Sequence, residues 1–143
     1  MKTINNDSFK VRVWNVSGGY YLPEFYLTPA GEVCEFGVFN GTPMVRKFDS
    51  QGNYRKERCT GLRGKNGKPI YEGDVFEAMV LNSFDGDKFI GQKIRGTVAY
   101  YPDGACFTFS AYSPINLGEI EIIGTIHDDQ FRDAAKMVYG ENE

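Results

Sequence analysis

An all-β fold is predicted by three observations: apolar and polar residues alternate in short runs, glycine and turn residues interrupt those runs at short intervals, and aromatic residues are abundant. The 143 residues include 17 glycines, with 15% aromatic and 41% hydrophobic content. That balance argues against disorder and favours sheets joined by turns over helices. The length fits one ordinary domain or two small packed subdomains with a core that needs no staples. Cys34, Cys59 and Cys106 are odd in number and far apart, so they predict neither a disulfide framework nor a C-x-x-C metal pair. No run approaches the roughly 20 apolar residues of a membrane span. The start, Met1-Lys2-Thr3-Ile4-Asn5, lacks the apolar core of a signal peptide, so a soluble cytoplasmic protein without membrane contact is expected.

The elements follow in order. Phe9, Val11 and Val13 alternate with Lys10, Arg12 and Trp14, the period-2 pattern of a half-buried strand that Gly18-Gly19 ends. Short apolar runs flank Pro23, the turn Thr28-Pro29-Ala30-Gly31 follows, and residues 32–39 read as a strand. Asn40-Gly41 is a hairpin signal. Residues 44–48 and 54–58, separated by the turn-rich stretch 49–53, predict a third, more polar hairpin. In Lys65-Asn66-Gly67-Lys68 the Asn-Gly dipeptide suits a type I′ turn, and Pro69 fits the first residue of a strand that continues into Ile70-Tyr71. Gly73-Asp74 interrupts the run and marks a bend where another backbone comes close, after which residues 75–81 resume as a strand. Residues 82–88 read as a polar loop. Thr97 to Tyr101 and Ala105 to Phe109 form a hairpin around Pro102-Asp103-Gly104. Residues 110–118 are irregular, with one helical turn after Pro114, and residues 120–126 return to strand. Asp128 or Asp129 can cap a short terminal helix in which Phe131, Ala134, Ala135 and Val138 share a face.

The stretch TGLRGKNGKPIYEGDV, with Thr60, Gly61, Leu62, Asn66, Gly67, Ile70, Tyr71, Glu72, Gly73 and Asp74, resembles the signature of the YopX family, small proteins encoded by bacteriophages and prophages. Phe9 to Asn15, Gly96 to Tyr100, Gly104 to Phe109 and Ile122 to Ile126 resemble its other strands, so roughly the whole chain is covered. The resemblance implies an all-β phage fold in the bacterial host cytoplasm and carries over no catalytic residue. The architecture expected is a strand-rich N-terminal subdomain over 1–58, a small SH3-like β-barrel over 59–127 and a C-terminal helix and tail over 128–143.

Candidate chemistry is thin. Gly61 to Lys68 imitates a phosphate-binding loop, but five residues rather than four separate Gly61 from Gly67, Pro69 replaces the hydroxyl residue, and a strand follows. On a regular strand Glu72 and Asp74 would share a side and could act as an acid and base pair, although the bend favours Asp74 as a backbone acceptor. Asp85-Gly86-Asp87 is a fragment of a calcium loop without its other ligands. His127 is the only histidine and stands beside Asp128 and Asp129, whereas a zinc site wants three or four protein ligands. Neither a metal nor a cofactor is expected, and an enzyme working through Glu72, Asp74 or His127 is the weakest class.

Charge says more. Residues 46–68 hold eight basic residues (Arg46, Lys47, Arg55, Lys56, Arg58, Arg63, Lys65, Lys68) against Asp49 and Glu57, a balance of +6, while the rest of the chain carries 8 against 17, or −9. Folded onto one face with Phe48 and Tyr54, this segment would meet phosphate backbones; otherwise it is a solvated hairpin whose cations guard an edge. The expected function is therefore non-catalytic binding, to nucleic acid through this segment. The alternative is assembly with itself, or with a host or phage protein, through strand edges.

Overall fold

A computed structural model describes residues 10–47, 54–82 and 88–131. Eleven strands carry them: β1 (Val11–Asn15), β2 (Tyr20–Tyr21), β3 (Tyr26–Leu27), β4 (Val33–Phe39), β5 (Thr42–Lys47), β6 (Tyr54–Arg63), β7 (Pro69–Tyr71), β8 (Asp74–Met79), β9 (Lys93–Tyr101), β10 (Cys106–Phe109) and β11 (Glu121–Thr125). Among the described residues the helical segments are two single 3-10 turns, Pro114–Asn116 and Asp129–Phe131, so the all-β expectation holds. The chain divides into two compact units, and among the described residues the smaller is Arg12–Glu57 and the larger is 10–11 with 58–131.

In the smaller unit β1 pairs antiparallel with β2, and β3, β4 and β5 form a second antiparallel sheet in that order. Val13 is fully buried at the centre of β1, as the alternation requires. Asn40 and Gly41 both take positive φ, 53° and 79°, between the paired Phe39 and Thr42, which is the type I′ geometry expected of Asn-Gly. One pairing departs from the sequence expectation. Among the described residues the hairpin of 44–48 with 54–58 is not seen: β5 pairs with β4 and is the edge of its sheet, while β6 has both edges occupied, by β1 and β7.

In the larger unit β8 and β9 are the centre of a four-stranded antiparallel sheet ordered β10-β9-β8-β11, and β7 pairs with β6. Phe76, Val80, Val98, Phe109, Leu117, Ile120 and Ile70 form its main apolar cluster, with the rings of Phe76 and Phe109 edge to face at 5.3 Å. Gly73 joins the two sheets. Its N–H donates to the Val98 carbonyl at 2.8 Å and its carbonyl accepts from Ile126 N–H at 2.9 Å, the close backbone approach anticipated at this bend. The loop at Asn66-Gly67 departs from expectation: only Gly67 has positive φ, and Gly67 N–H donates to Gly64 O while Gly64 N–H donates to Lys68 O. That is a type I turn ending in a left-handed glycine, not type I′, and Asn66 Oδ1 stabilises it by accepting from Lys68 N–H at 3.1 Å. The helical turn after Pro114 is present as a 3-10 turn. The terminal helix, its Ala134, Ala135 and Val138, and the Asp85-Gly86-Asp87 fragment lie outside the described residues; Phe131 itself is buried against Val75 and Ile126.

Candidate functional site

The signature stretch is first a piece of backbone engineering. Cys59 pairs with Tyr71 and Arg63 with Pro69, so four steps along β6 run beside two along β7 and the residues between are bulged. Gly61 holds φ +84° there, a conformation side chains resist. Thr60 replaces the lost ladder, its hydroxyl donating to Ile70 O at 2.9 Å and accepting from Leu62 N–H at 3.1 Å. Glu72 Oε1 accepts from Arg58 N–H at 2.8 Å, and Asp74 Oδ2 accepts from Tyr71 N–H at 2.8 Å. Strand β7 ends before Glu72 and β8 begins at Asp74, so the regular alternation that would put both carboxylates on one side is broken. Asp74 is only 2% exposed. Replacing it with alanine strands the Tyr71 N–H and is expected to lower stability by about 1–3 kcal/mol, read as an earlier urea midpoint with an unchanged slope.

Bulges tend to lie beside binding sites because they re-aim side chains. Here the bulged stretch borders two surface clefts of the larger unit. One, of about 470 Å³, is lined by Lys10, Arg58, Thr60, Tyr100 and Phe107 among others. The other, of about 600 Å³, is lined by Leu62, Cys106, Tyr112 and Pro114 and shares Thr60 and Phe107 with the first. The Arg58 guanidinium lies 4.1 Å from the centre of the Tyr100 ring, and that ring meets Phe107 edge to face at 5.2 Å. Among the described residues no acidic one lines either cleft. Glu72 is a loose ion-pair partner of Arg58, its Oε1 3.9 Å from Nε.

The basic segment is divided between the two units. Arg46, Lys47, Arg55 and Lys56 belong to the smaller unit, and Arg58, Arg63, Lys65 and Lys68 to the larger. On β6, Lys56 and Arg58 face solvent while Glu57 and Cys59 are buried, and Arg55 falls on the parity of the buried pair. Lys47 Nζ is 2.8 Å from Glu32 Oε2, and this hydrogen bond, with the carboxylate's charge, raises the lysine pKa above its ordinary value. Lys56 Nζ donates to Gly31 O, Arg63 donates to Gly67 O at 2.6 Å, and Lys65 sits 3.8 Å from Glu121. Lys68 is exposed beside the turn. Arg58 lines the first of these two clefts. Lys10, Tyr100 and Phe107 join it from distant parts of the chain, and their sequence shows only their cationic and aromatic character.

His127 stands in the turn after β11, its N–H donating to Thr125 Oγ1 at 3.2 Å, and among the described residues no group of three potential metal ligands occurs. Cys34, Cys59 and Cys106 are free thiols, the first two buried. No helix among the described residues is long and apolar enough to cross a membrane.

Together the sheets and clefts define a small antiparallel-β protein organised on a bulged, motif-bearing strand. The family described as YopX protein matches residues 44–130, more than half the chain, and the chain belongs to the YopX family. Protein EF1440 from Enterococcus faecalis shares its fold: TM-score 0.50 at 18% identity, over 85% of this chain and 94% of that one. Protein yopX from Bacillus subtilis aligns at TM-score 0.43 and 12% identity, over 89% of this chain and 97% of its own. No curated protein matches.

Proposed function

We propose that this chain is a phage or prophage accessory protein that acts in the bacterial cytoplasm by binding nucleic acid, without catalysis, in the cleft of Lys10, Arg58, Tyr100 and Phe107. The observation that carries the reading is the Arg58 guanidinium over Tyr100 in a cleft with no acidic lining among the described residues. Cations that track phosphates beside aromatic faces that stack bases are the two ingredients of such sites. Glu72 and Asp74, the carboxylates nearest the motif, serve backbone N–H groups, which leaves them a structural role.

Fluorescence anisotropy of short DNA and RNA tests it. Affinity should fall steeply between low and physiological salt, and Arg58→Ala should weaken binding about tenfold and reduce the salt slope by about 1, as loss of one phosphate contact does. Arg46→Ala and Lys47→Ala, on the other unit, should do much less. No binding at low salt retires this reading.

A second reading, assembly with itself or another protein, has one observation in its favour. Val38 and Val45 are 66% and 59% exposed on one face of the β4–β5 hairpin, beside the edge strand β5. Exposed apolar edge ribbons favour pairing with another chain.

A further inference from the structure

We infer that the cleft takes a single-stranded polynucleotide and not a duplex, with a phosphate against Lys10 and Arg58 and one unstacked base in the adjoining pocket between Leu62, Phe107, Tyr112 and Pro114. This rests on the nucleic-acid reading above and specifies its ligand. The two clefts adjoin, with Thr60 and Phe107 lining both. Their chemistry differs. The first holds both cations, whereas the second is walled by apolar and aromatic groups with the hydroxyls of Thr108 and Ser113 among them. Apolar walls with a few polar groups suit a planar base, whose faces are apolar and whose edge donates and accepts hydrogen bonds. A duplex keeps its base faces stacked and would offer this pocket phosphate, sugar and groove-facing base edges but no base face. The pocket volume of about 600 Å³ falls within the usual range for small-molecule sites.

The pocket wall is built, not incidental. Ser110 and Ala111 hold positive φ, 51° and 70°, two of only four such non-glycine residues among those described. Strained backbone of this kind persists where the surroundings over-determine it, and it clusters at binding sites. It turns the chain sharply after β10, and Phe109 and Tyr112 exchange both backbone hydrogen bonds at 3.0 Å. The 3-10 turn Pro114–Asn116 then returns to the sheet, where Leu81 N–H donates to Asn116 O and Gly118 N–H to Met79 O. The wall is thus fixed before any ligand arrives, which lowers the ordering cost of binding. Leu62, 40% exposed and carried on the bulge, closes the other side.

The test compares a fluorescein-labelled single strand, the same strand with one abasic site at each position in turn, and the matched duplex, all at one low salt concentration. The single strand should bind at least about tenfold more tightly than the duplex, the scale of one stacked base. One abasic position should lose most of that advantage. Leu62→Ser, at an exposed position and checked for an unchanged melting temperature, should bring single-strand affinity down toward the duplex value. Equal or tighter binding of the duplex overturns the inference while leaving the nucleic-acid reading standing. A preference for single strands that ignores both Leu62→Ser and every abasic site overturns the base pocket. No binding to any of these probes removes both.

Discussion

Glu57→Ala should unfold the smaller unit at markedly lower denaturant, with a loss of about 3 kcal/mol. Glu57 is fully buried, and its Oε1 accepts from Arg12 Nε and from Tyr21 Oη, each at 2.8 Å. Removing one partner of a buried ion pair typically costs about 3–5 kcal/mol because the other charge stays desolvated. Arg12 retains 19% side-chain exposure, so water relieves part of that penalty and the lower end applies. The position of the pair magnifies its effect. Arg12 and Glu57 are the first and last residues of the unit and lie on the neighbouring strands β1 and β6, so their hydrogen bond across 45 positions adds to the backbone pairing that holds its ends together. Closing so long a loop is entropically costly, and the pair acts where that cost falls. Trp14, the only tryptophan, lies 4.8 Å from the Tyr21 ring and reports the loss directly. Its fluorescence midpoint in urea should fall for Glu57→Ala and much less for Glu57→Gln, which keeps an acceptor oxygen in place. A shift under about 1 kcal/mol for the alanine variant, the scale of an exposed ion pair, would sink this account.

What could be read beforehand was local. Alternation around Val13 gave β1, and Asn40-Gly41 gave a type I′ turn, because the dipeptide's tolerance of positive φ needs no distant partner. Asn66-Gly67 shows where that logic stops. The same dipeptide suits both a type I′ turn and a type I turn with a terminal left-handed glycine, and only the register of β6 against β7 decides between them. Residues 44–58 misled for a related reason, since turn residues between two strand-like runs do not say which neighbour each strand will choose. The basic segment was legible as charge, but its division between two units was not. Strand alternation buries Glu57 and Cys59 between exposed Lys56 and Arg58, and the division into units falls between Glu57 and Arg58. The clefts could not be seen at all, because Lys10, Arg58, Leu62, Tyr100, Phe107 and Tyr112 meet only through non-local pairing.

Gly96→Ala should be the most damaging single methyl in the larger unit, and a second substitution should rescue it. A Cβ at residue 96 would lie 1.4 Å from Ser110 Oγ and 2.6 Å from Ser110 Cβ. Rotating the hydroxyl away relieves the first overlap but not the second, so backbone must move. Neither backbone can move cheaply. Gly96 is paired with Phe76 across β8 and β9, and Ser110 sits at φ 51° with its hydroxyl accepting from Thr97 N–H at 3.2 Å. Overpacking on this scale costs about 3 kcal/mol, equivalent to a fall in melting temperature of roughly 10 °C for a chain of this size. Ser110→Gly removes both clashing atoms and suits positive φ, while forfeiting the hydrogen bond to Thr97, so alone it should be close to neutral. Combined with Gly96→Ala it removes the two severe overlaps, the next contact being Phe76 Cε1 at 3.3 Å, and most of the lost stability should return. Additive losses in the double variant would mean that the clash is not with Ser110. Because Ser110 begins the turn that walls the second cleft, Gly96 holds open the space in which that wall is formed.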